Sequence, residues 1–210
     1  MFNRRTRSSR DVSSRPPPDE ASLREAATSY VARYAATETG LKLVLFRRID
    51  RWARQAAGMD NANRDNANRD NASRDTASDR AAVARAMVPA IVARMVELGL
   101  LNDAAFAESR AQGLALTGRS RRAITARLMA KGIGSEQARS ALAEDEGGEL
   151  VSALILTRKR RLGPFRMEAE GDRNKELGVL ARAGFPRDVA LRALEMELEH
   201  AEAAIREART

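Results

Sequence analysis

The chain has no cysteine and a single histidine. These absences exclude disulfide frameworks, thiolate nucleophiles, cysteine-based zinc sites and most histidine-dependent chemistry, and they fit a reducing, cytoplasmic setting. Aromatic residues are only 4% of the 210 positions, whereas 43% are hydrophobic. A core must therefore be assembled from Leu, Val, Ile, Met and Ala, which suits packed helices better than sheets. No apolar run is long enough to form a membrane-spanning helix. Glycine strings of the phosphate-binding and dinucleotide-binding kinds are absent. His200 lies between Glu199 and Glu202 with no second histidine, and Glu144, Asp145, Glu146 and Glu149 lack a spaced ligand loop. We expect no catalytic residue, no metal site and no cofactor.

Positive charge is what the sequence does have. Lys and Arg number 37 against 29 Asp and Glu, a formal net charge of +8, so a polyanion or an acidic protein surface is a plausible partner. Residues 1–20 include Arg4, Arg5, Arg7, Arg10 and Arg15 and run into Pro16-Pro17-Pro18, the composition of a disordered basic tail. Three pentapeptides, DNANR, DNANR and DNASR, follow one another from Asp60. With no large hydrophobe to offset the entropy of ordering, residues 59–80 are expected to form a solvated low-complexity insert, with a weak polar helix as the alternative.

Elsewhere apolar residues recur at helical spacing. Ser22 and Glu25 form a capping-box pattern for a first helix that ends before Gly40. Leu41, Leu45, Ile49 and Trp52 make the stripe of a second. Val83, Met87, Ile91, Met95 and Leu98 make that of a third, in which Pro89 predicts a kink or a start at the proline. Gly99 closes it, Asn102 or Asp103 caps the next, and Ser120 precedes a helix with the stripe Ile124 and Leu128 that stops at Gly132. Ser135 caps a short helix, Glu146-Gly147-Gly148 reads as a flexible joint, and Gly163-Pro164 as a breaker. Pro186 is placed in the first turn of a last helix holding Val189 to Leu198.

A repeat underlies this order. LMAKGIGSEQARSAL aligns with LARAGFPRDVALRAL, pairing Leu128 with Leu180, Gly132 with Gly184, Ile133 with Phe185, Ala138 with Ala190 and Leu142 with Leu194. A weaker copy sets Gly99 and Leu100 opposite Gly132 and Ile133. Each unit is too small to hide its own stripe, so neighbours must stack. The expected fold is all-α, in elongated tandem three-helix modules: 21–58 with 81–103, then 104–146, then 147–210.

The basic residues concentrate on these modules. Arg110, Arg119, Arg121, Arg122, Arg127 and Lys131 face a single acid between Ala104 and Gly134, Lys42, Arg47, Arg48, Arg51 and Arg54 lie on the second helix, and Arg158, Lys159, Arg160 and Arg161 end another. Helix-dipole capping and solvated rims account for part of this pattern. Rims that merge across stacked modules would instead meet phosphates and make binding salt-dependent. Tyr30, Trp52 and Phe106 fall on apolar stripes and are assigned to the core, which leaves little for base stacking.

GLLNDAAFA from Gly99 to Ala107, followed by GRSRRAITARLMAKGI from Gly118 to Ile133, resembles the RecX family of bacterial recombination regulators. ATSYVARYAATETGLKLVLFRRIDR, from Ala27 to Arg51, is similar to that family's first module. The resemblance implies a monomeric, non-enzymatic cytoplasmic regulator of DNA repair and recombination within the SOS response. Such a protein binds the RecA filament, contacts single-stranded or duplex DNA through phosphates, and inhibits strand exchange and ATP hydrolysis. It makes Gly99, Leu100, Leu101, Phe106, Ala107 and Gly132 packing elements and Asp103 a capping acid. Arg119, Arg121, Arg122, Arg127 and Lys131 become the filament-facing or DNA-facing surface, to which the charge clusters themselves add Arg47, Arg48, Arg110, Arg158, Lys159 and Arg160. Asn102 stands where the family pattern has an aspartate. The other reading, a general sequence-tolerant nucleic-acid-binding protein, differs in needing no recombinase.

Overall fold

The computed structural model describes residues 16–60, 67–142, 146–167 and 172–208; of the tail expected at 1–20, residues 1–15 lie outside them, while Asp19 and Glu20 cap and open the first helix instead. Among the described residues there are ten α-helices, one 3-10 helix and no strand, as an all-α fold requires. Contacts divide the chain into two compact units, Met1–Asn102 and Asp103–Thr210.

The first unit contains α1 (Glu20–Val31), α2 (Glu38–Asp60) and α3 (Ala67–Glu97). Asp19, not Ser22, caps α1: its carboxylate accepts the Ser22 N–H at 2.8 Å. That backbone hydrogen bond holds the Asp19 carboxyl below the ordinary carboxylate range. Gly40 lies inside α2 rather than beyond α1, because Thr37 starts α2 by accepting the Gly40 N–H on its hydroxyl at 2.9 Å. Leu41, Leu45 and Ile49 of α2 meet Leu23 and Ala27 of α1 in one core, as the aliphatic stripe predicts.

Helix α3 decides between alternatives that the sequence left open. It runs through Pro89 without starting there, and it incorporates residues 67–80, where a solvated insert was expected. Its buried face is Ala81, Ala84, Val88, Ile91, Val92 and Met95, while Val83 is 59% exposed and Leu98 is also exposed. Small alanines let α3 approach α2 closely, so the helix turns them inward in place of the larger Val83. Arg85 adds an ion pair at 2.6 Å to Asp50 of α2.

The second unit holds two cores. In one, α4 (Asp103–Ala115), α5 (Arg121–Met129) and α6 (Ser135–Ser140) enclose Ala107, Ala111, Leu114, Ile124, Leu128, Ile133 and Ala138. In the other, α7 (Glu146–Arg160), a 3-10 turn (Gly163–Phe165), α8 (Arg173–Arg182), α9 (Arg187–Glu195) and α10 (Leu198–Glu207) enclose Leu154, Ile155, Leu180, Phe185, Ala193 and Ile205. Gly147 and Gly148 belong to the first turn of α7 and form no joint. Pro186 is the N-cap of α9, one position earlier than predicted. The expected single helix through Leu198 is broken at Met196, whose backbone is extended, and α10 follows.

The aligned repeat is visible as geometry. At Gly132 and Gly184 the chain has φ +86° and +91°, and each turn closes with the same pair of hydrogen bonds. Gly132 N–H donates to Met129 and Ile133 N–H to Leu128, while Gly184 N–H donates to Ala181 and Phe185 N–H to Leu180. Ile133 and Phe185 are then buried at matching places. Gly99 makes the same turn, yet Leu100 after it is 47% exposed and Leu101 takes the core position. The first copy is thus shifted by one residue. Gly118 makes the same turn, with its N–H donating to Ala115 and the Arg119 N–H to Leu114, and a fifth turn of this kind carries Arg161 at φ +56° where the others carry glycine, a backbone strain of roughly 1–2 kcal/mol.

Candidate functional site

The turn between α4 and α5, Leu116 to Ser120, is wedged between α7 and the α8–α9 turn. Gly118 approaches α7 so closely that an added Cβ would lie 3.0 Å from the Leu156 nitrogen and 3.2 Å from the Ser152 carbonyl oxygen. Ser152 donates its hydroxyl to the Ala115 carbonyl at 3.2 Å, and Lys159 donates from Nζ to the Thr117 carbonyl at 2.7 Å. On the other side, fully buried Ser120 caps α5 through the Ala123 N–H and donates its hydroxyl to Ala183 at 2.7 Å. Gly184 is needed for that contact, since a Cβ there would stand 2.7 Å from the Ser120 oxygen. Ser120, Ser152 and Lys159 together therefore tie the two cores.

Several of the sequence-assigned cations gather at this junction. Arg119 projects from the turn, Lys159 bridges to it, and the stem of Arg122 lies 3.5 Å from the point a Gly184 Cβ would occupy. Arg121 turns toward α7: its backbone N–H donates to Glu149 at 3.2 Å and its Nε lies 4.0 Å from the same carboxylate. With Arg119, Glu149 and Ser152 it lines a cleft of about 240 Å³ floored by Ile124 and Leu142. By helical spacing Arg127 falls on the other flank of the Ile124 and Leu128 stripe, so α5 sends its arginines in different directions. Arg110 is exposed on α4, Lys131 is exposed before Gly132, and Arg158 is half-buried and Arg160 exposed at the end of α7. Arg47 and Arg48 are exposed on α2, in the first unit.

Charge compensation separates these residues. Among the described residues, Arg47, Arg48, Arg110, Arg119, Arg122, Arg127, Arg158 and Arg160 have no carboxylate partner. With respect to the described residues, their guanidiniums are open to an external anion. Arg121 and Lys159 instead carry internal contacts.

The structural assignments are more uniform. Ala107 is buried and Phe106 half-buried against the same core, and Asp103 is the first residue of α4, where its carboxylate faces the positive helix end. His200 is exposed on α10, and no group of acidic or histidine side chains suited to a metal occurs among the described residues. No helix among them is long and apolar enough to cross a membrane.

By spacing Tyr34 continues the apolar stripe of the first helix with Ala26, Tyr30 and Val31, but it is exposed instead. Tyr34 lies beyond the end of α1 and is 57% exposed, with its ring centroid 5.1 Å from that of Tyr30. The Thr37-Glu38-Thr39-Gly40 cap is the signal that could have revealed it, because a helix starting at Thr37 forces α1 to stop before Tyr34.

Comparison with known proteins agrees with this architecture. The family profile described as RecX, second three-helix domain, matches residues 102–142, the segment containing α4 to α6. A regulatory protein RecX of Myxococcus xanthus is 36% identical over 178 residues, covering 82% of this chain and 84% of the relative. Proteins of the same name from Agrobacterium fabrum and a Mycobacterium species are each 35% identical, covering 49% and 53% of this chain and 55% and 64% of their own lengths. No solved structure matches the chain. A relative similar along most of both chains, together with a profile match on the module whose turn organises the second unit, places this chain in the RecX family of regulatory proteins.

Proposed function

We propose that the chain regulates by binding the RecA recombinase filament on DNA and inhibiting its strand exchange and ATP hydrolysis, with no chemistry of its own. The observation that carries this reading is the set of uncompensated arginines, Arg119, Arg122 and Arg127, on the module that matches the family. Their charges fit phosphates or acidic filament grooves. Weak contacts repeated along several filament subunits add through effective concentration. The setting is the cytoplasm, where RecA works.

Charge reversal tests it. Arg119→Glu, Arg122→Glu and Arg127→Glu, combined, should abolish inhibition of RecA-driven strand exchange while the far-ultraviolet circular dichroism stays unchanged. Arg121 is left intact because a glutamate there would face Glu149 and disturb α5 against α7. Full inhibition by the folded triple variant would refute the role given to these three arginines.

A further inference from the structure

We infer that the first unit carries a single-stranded nucleic-acid site in the cleft between α1 and α2, where unpaired bases stack on Tyr34 while arginines hold the phosphates. The cleft measures about 620 Å³ and is lined by Arg33, Arg47, Arg48 and Arg51 around Tyr30 and Tyr34, with Glu25 its one acid. Helical spacing explains the composition: Val44, Arg48 and Arg51 share the flank of α2 that borders α1, with Arg47 beside them, while Asp50 points the other way to Arg85. Asp50 of α2 is thus withdrawn from the cleft, which leaves Glu25 of α1 against the four arginines. None of the four arginines has a carboxylate partner among the described residues.

Tyr30 packs against the core, and Tyr34 rests on it at an interplanar angle of 41°. The turn that presents Tyr34 is fixed by its own backbone, since the Arg33 and Tyr34 N–H groups both donate to the Tyr30 carbonyl, at 3.1 and 3.0 Å. An exposed ring held in place and flanked by unpaired guanidiniums is what a base and its phosphate require: a π face for stacking and cations for the backbone. An acidic peptide would use the cations but leave the ring unused. A duplex would use the cations too, yet its base faces are already stacked on one another. The site therefore favours single strands, and it does not depend on the RecA reading because RecA takes no part in it.

The test is fluorescence anisotropy of a labelled oligothymidylate about 20 nucleotides long against a duplex of equal length, with the full chain and no recombinase. Tyr34→Ala should weaken single-strand binding about tenfold or more and leave duplex binding nearly unchanged. Tyr34→Phe, which keeps the ring, should restore single-strand binding. Arg33→Gln with Arg51→Gln should flatten the dependence of log affinity on log salt by about 0.7 for each phosphate no longer neutralised. Equal losses on both strand forms, an unchanged affinity in Tyr34→Ala, or a Phe variant as weak as the Ala variant would overturn the proposal.

Discussion

Gly163→Ala should destabilise the α7–α10 core by about 3 kcal/mol, combining a left-handed backbone penalty with a steric one. Gly163 has φ +53°, and a Cβ on it would lie 2.8 Å from the Leu194 Cα and 2.9 Å from the Leu194 carbonyl oxygen. Both atoms are backbone of α9 and cannot rotate away. On the opposite side the Gly163 N–H donates to Glu176 at 3.3 Å, and that buried carboxylate also receives Nε and Nη2 of Arg166 at 3.0 and 2.6 Å. The turn is therefore held between α8 and α9, and moving it to relieve the clash breaks these bonds. At ~2–4 °C per kcal/mol for a chain of this size, the midpoint of the affected transition should fall by about 6–12 °C in differential scanning calorimetry. A fall of less than about 2 °C would mean that α9 yields easily and that the turn does not organise this core.

Leu180→Ala and Leu128→Ala should each cost about 2–5 kcal/mol, because both leucines are fully buried and alanine leaves a cavity. The repeat makes the comparison informative. Leu180 belongs to the α7–α10 core and Leu128 to the α4–α6 core, at equivalent places before the turns at Gly184 and Gly132. Hydrogen exchange should accelerate first in α8 and α9 for Leu180→Ala, and first in α4 and α5 for Leu128→Ala. If Ser120 couples the cores through its bond to Ala183, each variant should also raise exchange at the α4–α5 turn. Identical exchange patterns in the two variants would show one undivided core instead.

Large aliphatics at helical spacing made much of the fold legible in advance. Leu41, Leu45 and Ile49 point inward as their period requires, and Gly99, Gly132 and Gly184 end segments where the repeat places them. Small residues hid the rest. Ala81 and Ala84, rather than Val83, form the inner face of α3, a choice set by how near α2 can come. The break at Met196 and Glu197 has neither glycine nor proline to announce it. Residues 67–80 lack large hydrophobes, yet their alanines and arginines are good helix formers and Ala77 is buried in α3.

The same division applies to the candidate surface. Its charges could be counted from the sequence, whereas their internal partners lie far along the chain: the Glu149 carboxylate is 28 positions from Arg121, and the Thr117 carbonyl that Lys159 holds is 42 away. Only the fold distinguishes those structural cations from Arg119, Arg122 and Arg127. Tyr34 escaped for a related reason, since its ring shares a spacing with Tyr30 and Val31 but lies past the last turn of α1.

Co-sedimentation of the full chain with RecA assembled on single-stranded DNA, scored against the same DNA without RecA across a salt series, tests the central claim most directly. The account predicts recovery with the filament at salt concentrations that release the chain from bare DNA, and loss of that advantage in the Arg119, Arg122 and Arg127 reversal variant. Equal recovery on filament and bare DNA at every salt concentration would contradict it.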